Sequence, residues 1–399
     1  MAKLAQLTAN LRFSNPEKNN VAIVHADDFW IRKLVLQDVS ATTLGLYPQN
    51  YKIYVTPGLI ARTLLRLRFV DWSGILNRTA AKGLLRQVYA QYILACLDSI
   101  QAKVVLTFID NSSFFHNLSR MDKRRAYFAI QNGARTLACV RDSLHTPPHP
   151  AFTISMTNFF CFGKRDVELF TAHGHKIDSF SPVGSLLGGY YKSAVSTGTT
   201  ERKFDLCLVS QWHEHLFDEI TGENFPAVAA RRTRVGIEGL TNFLARLLRE
   251  TNLTMLICPR NNDVMEHKYY ENVFGSRATI VKSNRADFST YRSIERCKLT
   301  VALNSTTLSE VFVWGQKVLW CNVPDDEHYQ MPEAGISYFH GDDYNTFKKR
   351  VLELLEIPQG RYENMTREMA RYINTFDPAN PPHEIIRDKV IKALLNSTN

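Results

Sequence analysis

The sequence predicts an α/β fold: two Rossmann-like, doubly wound domains that face each other across a cleft. Three observations predict it. Short apolar runs alternate with longer amphipathic stretches along almost the whole chain, the pattern of parallel strands joined by crossover helices. At 399 residues the chain exceeds what one core ordinarily serves, at about 100–200 residues per domain. Near the middle, Lys192-Ser193-Ala194-Val195-Ser196-Thr197-Gly198 is small and polar, the composition of a linker. The division is therefore a first domain at 1–190, a linker at 191–203 and a second domain with terminal helices at 204–399.

In the first domain, strands are expected at 21–24, 53–55, 104–109, 127–130, 152–155 and 177–180. Residues 59–70 read as a basic helix. Residues 79–100 read as an amphipathic helix, with Leu85, Val88, Tyr92, Ala95, Cys96 and Ile100 on one stripe. In the second domain, strands are expected at 204–209, 254–257, 278–281, 299–303 and 317–320. A long arginine-rich helix falls at 227–251, shorter ones near 287–296 and 307–314, and three terminal helices near 344–356, 363–375 and 384–395. Ligands of doubly wound sheets bind at the carboxyl ends of the strands, so the gap between two such units is where a site belongs.

Composition narrows the function. Apolar residues at 45% and charged residues at 22% are those of a folded globular chain and exclude disorder. The formal charge of +9 fits an anionic ligand or surface as well as a solvated basic exterior. The basic residues are scattered, as in Arg62, Arg66, Arg68 and Arg231, Arg232, Arg234, with no dense tail, so nucleic acid is not the expected partner. The seven cysteines include no CxxC pair and read as buried, reduced thiols of a cytoplasmic protein. No run of about 18 apolar residues spans a membrane. Contact with the anionic inner membrane would be peripheral, at its inner face.

Four segments carry candidate chemistry. In Leu303-Asn304-Ser305-Thr306-Thr307-Leu308-Ser309-Glu310 a buried strand ends in small hydroxyl residues that open a helix. A helix start offers unpaired N–H groups and suits a diphosphate, with Ser305, Thr306 and Thr307 adding hydroxyls and Glu310 accepting from ribose or sugar hydroxyls. Equally, Thr307…Glu310 has the spacing of a capping box. Thr107-Phe108-Ile109-Asp110-Asn111 sets a carboxylate at a strand end, where it takes a proton from an acceptor hydroxyl or caps the next helix. Gln131-Asn132-Gly133-Ala134-Arg135 is either a sugar-binding loop or an Asn-Gly turn. His25-Ala26-Asp27-Asp28 is a second carboxylate candidate or a solvated loop. Arg260, Lys282 and Arg285 fall at or just after strand ends and can neutralise a departing phosphate. No HExxH, zinc-type cysteine cluster, EF-hand loop, GxGxxG, Walker A or GxSxG occurs, so neither metal nor cofactor is called for.

The order of these motifs carries a resemblance. Thr107–Asn111, Gln131–Arg135, Asp166-Val167-Glu168-Leu169-Phe170 with Gly174-His175, Val183-Gly184-Ser185-Leu186, Asn304–Glu310 and Gly315-Gln316-Lys317-Val318-Leu319 follow one another. Over residues 104–322 the chain resembles bacterial surface-carbohydrate transferases, similar to capsule and lipopolysaccharide glycosyltransferases of the GT-B fold. The resemblance implies a metal-independent glycosyltransferase. A nucleotide-sugar donor would sit on the second domain at Asn304, Ser305, Thr306, Thr307, Glu310, Arg260 and Lys282. A glycan or lipid-linked glycan acceptor would sit on the first domain at Asn111, Gln131, Asn132, Gly133 and Arg135. Asp110, or secondly Asp27, would deprotonate the acceptor in a single displacement. Related enzymes carry histidines near Asn132 and before Pro259, and this chain has neither. Two other roles follow from the same residues: a polyol-phosphate transferase of teichoic-acid type, and a catalytically degenerate glycan-binding scaffold.

Overall fold

The computed structural model describes residues 10–24, 28–45, 52–70, 72, 78–142, 153–198, 201–212 and 225–396. The first sheet contains β1 (Val21–Val24), β2 (Ala41–Leu44), β3 (Val104–Thr107), β4 (Ala126–Ile130), β5 (Ser155–Cys161) and β6 (Lys176–Pro182). They pair in parallel in the order β2-β1-β3-β4-β5-β6. Strands β1 and β3 are buried along their whole length because both faces are covered, and such strands read as continuous apolar runs. The strand period of two divides the residues between layers. Ala22, Val24 and Val105 pack on Ala90, Ile93, Leu94 and Leu97 of the Arg78–Ile100 helix. Val21, Ile23, Val104 and Leu106 face the other way, toward Trp30, Ile31 and Leu34.

The second sheet contains β7 (Phe204–Val209), β8 (Met255–Cys258), β9 (Ala278–Ile280), β10 (Cys297–Ala302), β11 (Lys317–Asn322) and β12 (Tyr338–His340). These are also parallel, in the order β9-β8-β7-β10-β11-β12. The chain thus builds outward from β7 in one direction, then returns to start again at β10 on its other side. This is the strand order of a dinucleotide-type Rossmann sheet, with its switch point between β7 and β10. The fold is therefore two Rossmann-like doubly wound sheets, as the alternation predicts.

Several elements differ from expectation. The run at 53–55 does not join the main sheet; Ile53–Tyr54 pairs with Leu11–Arg12 in a separate two-stranded ladder. The short strand expected at 152–155 is instead β5, which begins at Ser155 and runs to Cys161. Asn158 hides it, because a polar residue interrupts the apolar run. Its side chain is buried, and its Oδ1 accepts from Ser179 (2.7 Å) and Lys389 (2.5 Å). Strands β2 and β12 are short and were not foreseen. Leu85 leaves the predicted stripe and is 68% exposed. The 191–195 part of the expected linker is one π-helical turn.

The last helix, Pro382–Asn396, follows the second domain in sequence but packs on the first sheet. Arg387 donates to the carbonyls of Val35 (3.0 Å) and Leu34 (3.2 Å). The returning chain passes Gly184, where φ is +90° and a Cβ would lie 1.9 Å from the Thr375 carbonyl oxygen. Glycine is required there both for conformation and for space. Among the described residues no helix is long and apolar enough to cross a membrane. All seven cysteines are free, and six are buried.

Candidate active site

The switch point of the second sheet is stitched by one side chain. Gln211, two residues beyond β7, donates through Nε2 to the Asn304 carbonyl at 2.6 Å and accepts the Asn304 N–H at Oε1. Asn304 itself follows β10, and its Nδ2 donates to the His328 carbonyl at 3.3 Å. The amide of Gln211 therefore fixes the spacing of the two strand ends. A cavity of about 400 Å³ opens over them, lined by Ser210, Gln211, Arg260, Ser283, Arg285, Phe288, Tyr291, Asn304, Ser305, Thr306, Thr307 and Glu310, with Asn132 and Leu187 from the first domain. Among the described residues its charged lining is two guanidiniums against one carboxylate, which favours an anionic occupant.

The turn after β10 is capped differently from the spacing's suggestion. Ser305 is the N-cap of the Thr306–Phe312 helix, its Oγ accepting from the Thr307 N–H at 3.3 Å. The Thr307…Glu310 capping box does not form, because Glu310 turns inward. Its Oε1 accepts from Ser185 Oγ of the first domain, and its Oε2 from Tyr291 OH at 2.7 Å. Burial pushes the Glu310 carboxyl above its ordinary pKa, and those two donors pull it partly back. Gly188 makes the approach possible: a Cβ there would stand 3.0 Å from the Glu310 Cβ.

Arg260 is exposed and lines the cavity. Its loop is held by a residue outside the four candidate segments. Buried Glu266 accepts the Arg260 N–H (2.8 Å), the Asn261 N–H (3.1 Å) and Ser210 Oγ (2.5 Å). Burial raises the pKa of Glu266 as well. The available signal was Asp263-x-x-Glu266 after Pro259, since Asp263 caps that helix by accepting from the Met265 N–H at 2.7 Å. Lys282 is exposed and does not line the cavity; Ser283 and Arg285 do. Neighbours in extended chain point in opposite directions, so the position beside a lining residue faces away.

On the first domain the expected acceptor loop is largely self-satisfied. Asp110 is 1% exposed, and its carboxylate takes both prongs of Arg135, Nε at 3.0 Å and Nη2 at 2.6 Å. It also accepts the Asn132 N–H at 3.2 Å. A carboxylate engaged on both oxygens holds the 131–135 loop in place, and it does not line the cavity. Gln131 spends its amide internally, donating to the Gly133 carbonyl (2.9 Å) and accepting the Phe162 N–H (2.8 Å). Arg135 is bound to Asp110, and exposed Asn111 stands outside the cavity. Neither Asp110 nor Asn111 caps the next helix; Ser112 does. Of this set, Asn132 lines the cavity. Gly133 brings the loop against the second domain, where Ala134 N–H donates to Thr306 Oγ1 at 3.0 Å. Asp27 lies outside the described residues.

No protein-family model matches the chain, and no curated protein matches it. Solved structures do match in shape. UDP-GlcNAc 2-epimerase from Neisseria meningitidis, bound to UDP-GlcNAc, aligns over 94% of this chain and 99% of its own at 11% identity and a TM-score of 0.54. The wall teichoic acid polymerase TagF aligns over 100% of this chain and 93% of its own at 10% identity and a TM-score of 0.54. Sucrose-phosphate synthase from Thermosynechococcus elongatus aligns over 96% and 100% at 12% identity and a TM-score of 0.51. The chain has the GT-B fold.

One wall of this GT-B cleft is aromatic and was not foreseen. Phe288 lines the cavity at φ +54°, an uncommon conformation for a bulky residue. Its ring packs on Trp30 of the first domain (5.4 Å between centroids) and on Tyr191 (5.7 Å) and Tyr291 (6.1 Å). Below it, Glu295 accepts from Tyr191 OH (2.6 Å), Lys192 Nζ (3.1 Å) and Ser196 Oγ (2.8 Å). The two GT-B domains are therefore joined on one side by an aromatic and ionic seam, with the cavity beside it. Among the described residues no group of three or more histidine, cysteine, aspartate or glutamate side chains is placed to hold a metal ion.

Proposed function

We propose that this chain is a glycosyltransferase that moves a sugar from a nucleotide-activated donor to a bacterial surface polysaccharide or glycolipid. The observation that carries the reading is the cavity over the β7–β10 switch point, which has two arginines and one buried carboxylate and is closed from the other side by the first domain. Doubly wound sheets take nucleotides at this place. In this reading Arg260 and Arg285 face the donor diphosphate and neutralise the charge that builds on it as the glycosidic bond to phosphate breaks. Ser305 and Thr307 supply hydroxyl donors. Glu310 has lone pairs left beyond those used by Ser185 and Tyr291, and takes a ribose or sugar hydroxyl. The acceptor hydroxyl attacks the anomeric carbon, its proton passing to Asp27, the carboxylate candidate that follows the first strand. Asn132 orients the acceptor.

A specific observation favours a second reading. Glu310, the one carboxylate among the described lining residues, already accepts two hydrogen bonds, and Asp110 is locked to Arg135. A chain without a free base would bind donor and glycan without turning over.

The test is a thermal-shift series with UDP-, GDP-, CMP- and dTDP-linked sugars and CDP-glycerol, on the wild type and on Arg260→Ala/Arg285→Ala. One compound class at about 100-fold over its Kd should stabilise the wild type by about 2.7 kcal/mol, and the double variant far less. CDP-glycerol as the sole responder would turn the reading to polyol-phosphate transfer. No response to any compound would remove the nucleotide site altogether. Transfer from the responding donor, lost in Asp27→Asn with binding retained, separates the enzyme from the scaffold.

A further inference from the structure

The Pro57–Arg66 helix and the 3₁₀ turn Leu67–Phe69 that extends it pack against the Arg78–Ile100 helix of the first domain. Their inward stripe is ordinary. Leu59 and Val70 are buried, and Leu59 packs among Ala90, Ile93 and Leu94 of the Arg78–Ile100 helix. The outward stripe is not. Ile60 (47% exposed), Leu64 (60%), Leu65 (68%) and Phe69 (62%) recur at helical spacing on the solvent side, and Trp72 (41%) continues them. A surface helix normally sets polar residues there, and contiguous exposed apolar side chains mark an interaction face.

Charge says what the face fits. From residue 57 to residue 72 the sequence has three arginines against one acidic residue, Asp71. Arg62 and Arg68 are exposed between the apolar side chains, and Arg66 is paired with Asp98 at 2.5 Å. Arginines interleaved with leucines and aromatic rings match a surface whose apolar interior lies under an anionic layer. Leucine and phenylalanine enter the acyl boundary while guanidiniums remain at the phosphates. Trp72 suits the same depth; its indole N–H is satisfied by the Leu67 carbonyl at 3.1 Å, and the ring is left outward.

We propose that the outer face of residues 57–70, with Trp72 beside it, docks the protein on an anionic phospholipid surface. The docking uses two signals, apolar insertion and phosphate attraction, since one alone gives marginal binding. It does not rest on the nucleotide site, so either can fail without the other.

The experiment is co-sedimentation of the full chain with phosphatidylcholine vesicles, with and without about 30 mol% phosphatidylglycerol, at low and high salt. Wild type should pellet with the anionic vesicles, and less so as salt rises. Leu64→Gln/Leu65→Gln should lower the partition at least about tenfold. Arg62→Gln/Arg68→Gln should lower it about 25-fold, at about fivefold per arginine near the surface. All four side chains are exposed, so the melting temperature should stay that of wild type; if one pair misfolds, the other still decides. Absence of wild type from the anionic pellet would overturn the proposal, as would variants that pellet like wild type or binding indifferent to salt. So would light scattering that finds a wild-type dimer which Leu64→Gln/Leu65→Gln makes monomeric, because the face would then join two copies of this chain.

Discussion

Replacing Asp110 with asparagine keeps the side chain's shape and removes its charge. The carboxylate is buried, holds Arg135 through two bonds of 3.0 and 2.6 Å, and accepts the Asn132 N–H. Neutralising one member of a buried pair leaves the other uncompensated, at a cost of about 3–5 kcal/mol. The asparagine Oδ1 still accepts one bond, so Asp110→Asn should cost about 3 kcal/mol. With unfolding entropy of about 2.1 cal/mol/K per residue, that lowers the melting temperature by about 4 °C if the two domains melt together and about 7 °C if the first melts alone. Circular dichroism melts of wild type, Asp110→Asn, Arg135→Gln and the double variant give the coupling. The double variant should lose less than the sum of the singles, by about 1–3 kcal/mol. Additive losses, or an Asp110→Asn melt within about 1 °C of wild type, would refute the positioning role. A fully stable Asp110→Asn protein that had lost transfer would return Asp110 to the chemistry.

Three further outcomes follow from particular contacts. Burial pushes the Asp166 carboxyl up to about 6 from its ordinary 3.8, with Arg165 opposing it. A raised folded pKa means stability that is full below about 3.8 and lost as pH rises through about 6, roughly 3 kcal/mol in all; Asp166→Asn should flatten the stability difference across that window in urea titrations. Gly184→Ala drives a Cβ into the Thr375 carbonyl at a positive φ, and should cost about 3 kcal/mol or prevent folding, read from the urea midpoint. Gln211→Ala unpairs the Asn304 N–H and carbonyl, and should cost about 1–2 kcal/mol in stability and weaken the nucleotide response further, read by thermal shift with and without the responding compound.

The sequence made the architecture legible where composition was one-sided. Runs such as Val104–Leu106 and Val318–Cys321 are buried on both faces, so their apolarity is continuous and their strand identity plain. It was less legible where a buried polar residue interrupted the run, as Asn158 does in β5. It placed the β10 turn at a strand end, and that turn does line the cavity. It could not tell Lys282 from Arg285, because which of two nearby cations faces a cleft depends on the course of the loop after the strand, where Arg285 opens a 3₁₀ turn. It could not see Glu266 or Phe288, whose roles rest on backbone N–H groups and rings brought in from distant segments.

By itself, the sequence determined the fold class, two parallel doubly wound sheets, because hydrophobic period and element length are local properties that burial imposes residue by residue. Only the tertiary structure decided which side chains meet. Asp110 is spent on Arg135, 25 positions away, Glu310 on Ser185, 125 positions away, and the last helix on the first sheet. Such pairings depend on strand order and on the crossing of the chain at Gly184, and no one-dimensional spacing encodes either.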